Sequence, residues 1–335
     1  MGKNRRFILV TLVILAAWLA VYSAALRPWF LDWGATRDER TRTLPGQELA
    51  PVGAQPHTRA VTVDAPPDRV WPWLAQIGIG RAGFYSYTWL ENLFLSGIHN
   101  VYRVAPLWQD RRAGDFVRSF QFGAEKAGVN GWRMEPFEDG KYFFLNPGWG
   151  PFVLEPRDAS QTRFVIRSWR NKMNPAAGAL MALFFDPIHF AMEKRTMTEV
   201  KRLAERRRLA PGWLTALAWI GFGLAGTIGA GIIVSRKRKK LWILVPDSWA
   251  LLCLVIAGDP QAALTAFTAS GLIIAGFRAF GRRGWAWLVG FWIFAYLVLI
   301  FANNAYLVFG LVFLAAAPLA FWALSKRRTP AMPAS

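Results

Sequence analysis

Cysteine is almost absent: Cys253 is the only one, and it lies in an apolar run, so neither a disulfide framework nor a cysteine-based zinc cluster is available. Histidine is nearly as scarce, with His57, His99 and His189 the only three in 335 residues. A zinc enzyme needs three protein ligands and an open position, which this inventory barely reaches, so no metal and no cofactor is expected. No serine stands in a Gly-x-Ser-x-Gly elbow. Gly78, Gly80 and Gly83 follow a helical pattern rather than a strand, which excludes a dinucleotide-binding loop. Charged residues make up 18% of the chain, below the roughly 25% of soluble domains. Acids are the scarcer kind, 21 against 40 lysines and arginines. What remains is apolar, at 54% hydrophobic and 15% aromatic, which excludes intrinsic disorder.

The apolar content is concentrated. Residues 7–26 (FILVTLVILAAWLAVYSAAL) carry no charge and follow the cationic start MGKNRR. About twenty such residues cross a bilayer as a helix. A cleaved signal peptide would have a shorter apolar core, so an uncleaved anchor is the better reading. Five further spans are expected at residues 213–234, 241–257, 261–277, 285–302 and 305–324. Arg236 to Lys240 follow the second span, Arg278, Arg282 and Arg283 the fourth, and Lys326, Arg327 and Arg328 the sixth. The alternate connectors, Gly258-Asp259-Pro260 and Asn303-Asn304, contain no lysine or arginine. By the positive-inside rule the tails, residues 1–6 and 325–335, lie in the cytoplasm, and residues 27–212 lie outside it, in a plasma membrane of bacterial type. Arg206, Arg207 and Arg208, just before the second span, speak for the reverse side. Asp247 sits beside Pro246, where it interrupts the third span or pairs with Lys239 or Lys240. Gly221, Ala225 and Gly229 form a small-residue row suited to close helix packing.

The insert, about 180 residues, is long enough for one domain. Residues 58–64 alternate as a strand and lead through Pro66-Pro67 into a helix ending near Ile77. A second helix is expected over residues 84–95. Strands follow at 116–122, 132–137, 141–145, 150–156 and 162–170, and a final helix covers 187–208. The positive charges are scattered along the insert rather than clustered on one element, so nucleic acid is not an expected partner.

Several pieces, in order, carry a family resemblance: Trp33-Gly34-Ala35-Thr36 with Glu39 and Leu44-Pro45-Gly46; Asp64-Ala65-Pro66-Pro67 with Val70-Trp71-Pro72-Trp73-Leu74; Gly83-Phe84-Tyr85-Ser86-Tyr87 with Leu90-Glu91-Asn92-Leu93; Ile98-His99-Asn100 with Gln109 and Gly114-Asp115; and His189-Phe190 with Met192-Glu193-Lys194. Residues 33–208 thereby resemble the SRPBCC superfamily, the START-like and polyketide-cyclase-like domains. Leu107 replaces an acidic residue common after the loop proline. The resemblance implies an α+β helix-grip domain, a curved antiparallel sheet around a long C-terminal helix, inserted between the first transmembrane helix and a bundle of about five. It also implies an internal cavity for a hydrophobic molecule.

Candidate ligand contacts are Tyr85, Tyr87, Trp89, Glu91, Asn92, His99, Asn100, His189 and Met192. Tyr87 and Glu91 share a helical face by their spacing, as do His189 and Glu193. Core packing of the aromatics and loop bracing by His99-Asn100 are the plainer readings of the same residues. For acid/base chemistry the candidates are His99, Glu91 and Glu193, with Asp110 and Asp115 behind them. The resemblance implies that such sparse equipment can suffice, since cyclase-like members of the superfamily work with it, so acid/base chemistry stays open. The expectation is membrane-tethered binding of a lipid or other hydrophobic small molecule; the alternatives are a cyclase- or hydrolase-like enzyme and a membrane sensor or scaffold.

Overall fold

The computed structural model describes residues 3–170, 173–208, 210–235, 241–281 and 284–326. The basic connectors at 236–240 and 282–283, together with Arg327 and Arg328, lie outside the described residues. The chain forms two compact units, one of residues 1–91 and 96–208, the other of residues 92–95 and 209–335.

The first unit begins with α1 (Lys3–Val21), which passes without a break through a π-helical turn (Tyr22–Leu26) into α2 (Arg27–Leu31). The rod therefore outruns the expected limit at residue 26. Pro28 does not stop it; it stands directly after the π-helical turn, whose wider pairing ends with Arg27 N donating to the Tyr22 carbonyl. A short α3 (Arg37–Thr41) is set by a capping box in which Thr36 and Glu39 satisfy each other's backbone N–H groups.

Next come β1 (Gln55–Val63), α4 (Pro67–Ala75) and α5 (Thr88–Asn92). The five strands β2 (Phe116–Arg118), β3 (Gly131–Glu138), β4 (Tyr142–Asn146), β5 (Gly150–Pro156) and β6 (Thr162–Arg170) follow as a meander. The sheet is antiparallel throughout, in the order β1-β6-β5-β4-β3-β2, so the first strand closes against the last, with Ala60 opposite Val165. Alternation divides its faces. Val63, Phe164, Ile166, Phe152, Leu154, Phe143 and Leu145 form one core with α4 and with α7 (Asp186–Ala204), while Ala60, Val165 and Val153 form a smaller cluster with Leu44 on the opposite face.

The final helix, expected to 208, ends at Ala204, just before Arg206 takes a left-handed backbone conformation, and two other expected elements are shorter still. The helix expected at 84–95 is reduced to α5 because Tyr85 and Leu95 adopt left-handed backbone conformations. The Asn100 side chain then holds the Tyr85 turn, accepting from Tyr85 N at 2.8 Å and donating to Ser86 O at 2.8 Å. β2 stops at Arg118 because Asn130 donates to the carbonyls of Phe122 and Ala124, curling the following chain away from the sheet. Before α7 the sequence reading assigned nothing. Here α6 (Pro175–Leu180) runs through a second π-helical turn (Met181–Phe185) directly into α7.

The helical unit consists of α8 (Gly212–Val234), α9 (Leu244–Val255), α10 (Pro260–Phe280), α11 (Gly284–Phe301) and α12 (Ala305–Lys326). The small-residue row of α8 packs two ways: Gly221 abuts the backbone at Gly310 of α12, and Gly229 abuts Gly271 of α10. Asn92–Leu95 belongs to this unit. Asn92 donates to Asp259 at 2.9 Å, Trp249 donates to the Leu93 carbonyl at 3.1 Å, and Leu93 and Leu95 pack on Cys253, Ala262 and Ala266.

Among the described residues, five helices are long and apolar enough to cross a membrane: Arg5–Leu31, Pro175–Ala204, Gly212–Val234, Pro260–Phe280 and Gly284–Phe301. The chain is thus a membrane protein with several spans. We read Pro175–Ala204 differently from the others, because its second half, α7, buries Glu193, Lys194 and Glu199 inside the domain. The expected span at 241–257 is shorter than a full crossing: α9 has 12 residues, about 18 Å of helix against about 30 Å of hydrocarbon. Pro246 and Asp247 lie in its first turn rather than interrupting it.

Candidate functional site: a buried ion pair beside an aromatic ladder

Alternation along β1 puts His57, Arg59, Val61 and Val63 on one face, and the pairing with β6 sets His57 opposite Ser168 and Arg59 opposite Ile166. This is the face that α7 covers. A charge there must find a partner, since an unpaired buried guanidinium is prohibitively costly. Arg59 finds Glu193 of α7, with Nη1 2.6 Å from Oε1 and side-chain exposures of 2% and 1%. Its Nε donates to the Phe30 carbonyl at 3.0 Å, and its guanidinium lies 5.2 Å from the centre of the Phe190 ring. The other oxygen of Glu193 accepts from Trp149 Nε1 at 2.7 Å and from Ser168 Oγ at 3.3 Å. Burial alone would raise the Glu193 pKa, but the charge of Arg59 and the hydrogen bonds from Trp149 and Arg59 bring it below the ordinary carboxylate value.

Around this pair the charge is arranged in steps. His189 Nε2 lies 3.8 Å from Glu193 Oε2, one helical turn away. Burial, reinforced by the charges of Arg59 and Arg170 against the pull of Glu193, lowers its pKa to about 4. His57 is lowered further, to about 3, by burial and by Arg59, Arg170 and Arg27, and its Nε2 is enclosed without a hydrogen-bond partner. Both imidazoles are neutral at pH 7. Asp186, at the start of α7, pairs with Arg170 and, at 3.0 Å, with Arg27.

Beside the ion pair runs a row of partly accessible rings. Trp132 and Trp149 lie 4.8 Å apart between centroids, Trp149 meets His189 edge-on at 6.1 Å, and His189 stacks on Phe185 at 5.5 Å. Phe84 closes the inner end against both tryptophans, and Phe185, at the outer end, is 47% exposed.

The residues singled out in the sequence are distributed unevenly about this site. Glu193, His189 and Met192 belong to it or flank it on α7. Tyr85 is fully buried and accepts from Gln76 at 2.6 Å, so it is a core residue. Tyr87 and Trp89 pack together at 5.9 Å, with Arg195 5.5 Å from the Tyr87 ring centre. Asn100 braces the Tyr85 turn, and His99 is exposed in the same loop. Asn92, expected as a ligand contact, belongs to the helical unit and donates to Asp259 there. The helical turn expected for Tyr87 and Glu91 is formed, with Glu91 N donating to Tyr87 O at 3.1 Å. Glu91 accepts from Ser86 Oγ through one oxygen; its other oxygen is enclosed without a partner, and burial raises its pKa to about 7. Asp110 and Asp115 come together only around Arg112, whose Nη2 donates to Asp110 at 2.9 Å and whose backbone N donates to Asp115 at 3.2 Å, both at the surface.

Arg59, His57, Trp149, Ser168, Arg170, Asp186 and Arg27 were not anticipated. A signal existed for Arg59, a charge in register with Val61 and Val63 on the core face of an alternating strand. Among the described residues no group of three or more His, Cys, Asp or Glu side chains is placed to hold a metal ion. In comparison with known proteins, no family model, no curated protein and no solved structure matches the chain.

Proposed function

We propose that the domain is a helix-grip module of SRPBCC type that binds a lipid or other hydrophobic molecule at the membrane from which it is tethered. The sheet order, with the first strand closing against the last and α7 lying on the inner face, supports the fold. The observation that carries the function is the ladder Trp132–Trp149–His189–Phe185. It is an accessible apolar surface leading from the sheet face to an exposed ring, beside the buried Arg59–Glu193 pair. Apolar surface of this kind binds a hydrophobic molecule by removing both from water, and the neighbouring polar groups orient a headgroup. Tethering keeps the domain beside its ligand at high effective concentration.

The domain lies on the extracytoplasmic side. The lysines and arginines of the alternate connectors, set against Gly258-Asp259-Pro260 and Asn303-Asn304, which have none, support this side. One observation favours the enzymatic alternative: Glu91, with a pKa near 7 and a free oxygen, is a carboxyl poised for proton transfer. The test is native mass spectrometry of the full-length protein from a lipid-containing host. A stoichiometric hydrophobic mass, retained after detergent removal in the gas phase and reduced in Trp149→Ala, is the expected result. A chain that carries none and takes up none of the lipids offered overturns binding and moves the weight to catalysis.

A further inference from the structure

The stretch before α7 has an unusual surface. Pro175–Phe185 (PAAGALMALFF) contains no charged residue, and none of its side chains is buried, whereas the next residues, Asp186 and Pro187, are. Leu180, Phe184 and Phe185 are 61%, 51% and 47% exposed. A contiguous apolar surface of this kind on an ordered helix requires something other than water to cover it.

The neighbouring helix identifies the cover. Tyr22 donates to the Ala182 carbonyl, Arg27 pairs with Asp186, and Phe30 stacks on Phe190 at 5.1 Å. The sequence separations are 160, 159 and again 160 residues, so the two rods run parallel and in register, each with a π-helical turn at the same level. Extended by the same offset, Pro175–Phe185 lies level with residues 15–25 of the first span, which is bilayer depth. The polar boundary agrees. Arg27, Arg170 and Asp186 sit where both rods leave the apolar region, at the level where charged side chains meet headgroups.

We propose that Pro175–Phe185 is sunk in the bilayer beside the first span, as a half-helix that enters one leaflet and does not cross. Its 11 residues make about 16 Å of helix, roughly half the hydrocarbon thickness. The domain is then seated in the membrane through its own C-terminal helix as well as tethered by its flanking spans, whether or not it takes up a ligand.

The test places spin labels on Leu180→Cys and Phe184→Cys in full-length protein carrying Cys253→Ser, reconstituted in phosphatidylcholine vesicles. Collision with oxygen and with a water-soluble nickel chelate is compared with Val13→Cys in the first span and Val52→Cys in the domain, both exposed side chains. Oxygen-dominated collision at both sites, as for Val13→Cys, is the expected result. Nickel-dominated collision, as for Val52→Cys, overturns the proposal, and so does exclusion of both reagents, which would mean that a second copy or another protein covers the helix. The parent chain gives an independent reading by hydroxyl-radical labelling in vesicles. Met181 and Phe184 are expected to be protected while the exposed Tyr102 is modified, and modification of all three alike overturns the assignment.

Discussion

Glu193 and Arg59 are bound to each other in a place neither could occupy alone. Glu193→Gln removes the compensating charge and is expected to cost about 3 kcal/mol, the scale for breaking a buried pair. Thermal unfolding of the full chain should show this as a lowered midpoint. Arg59→Met combined with Glu193→Leu is expected to recover most of the loss, because the desolvation cost disappears with the charges. The histidines set an acid-side dependence. Folded His57 resists protonation down to about 3 while the unfolded chain takes the proton near 6.5, so its contribution is complete above 6.5 and is lost as pH falls toward 3. His57→Gln should therefore lose less stability between pH 7 and pH 4 than the parent. Glu91 has the opposite sign. Its pKa is raised from 4.5 to about 7, so its contribution is present below 4.5 and lost as pH rises through 7. Glu91→Gln is expected to raise the unfolding midpoint relative to the parent at pH 8 and to leave it nearly unchanged at pH 5.

Elements whose sequence carried an unbroken period were legible, and elements set by a single backbone angle were not. β5 and β6 fall at the expected bounds, since the polar turn Arg157–Gln161 separates two apolar segments that are buried almost throughout. The helix expected at 84–95 fails on Tyr85, whose left-handed conformation is held by an asparagine fifteen residues away, a partner no local pattern shows. The half-helix at Pro175–Phe185 was missed for a different reason: it has no polar face, so it shows no amphipathic period. Of the site, Glu193 and His189 were legible from their spacing, whereas Arg27 and Arg170 join it only through the fold. The Tyr85 turn also makes a testable demand on its neighbour. Gly83 has a φ of +69°, and a Cβ there would lie 2.6 Å from both Asn100 Oδ1 and the His99 carbonyl. Gly83→Ala is expected to destabilise by roughly 2 kcal/mol, strain and clash together. Gly80→Ala, at a similar angle with open space around it, should cost less, and the difference in unfolding midpoint isolates the clash.

For the whole molecule, the sequence already indicated a chain divided between membrane and insert, because apolar runs and basic connectors are long-range signals that need no tertiary information. What the fold adds is an accessible row of rings inside the insert that ends at an exposed phenylalanine. Binding of a hydrophobic molecule along that row is the central claim, and photo-crosslinking tests it most directly. Full-length protein in vesicles doped with a phospholipid carrying a diazirine in its acyl chain would be irradiated, digested and mapped. Adducts on Trp132, Trp149 or His189, in addition to those on the spanning helices, are expected, and they should diminish when an excess of the unlabelled lipid is present. Adducts confined to the spans and to Pro175–Phe185, with the sheet face unlabelled across a panel of headgroups and chain lengths, would contradict it.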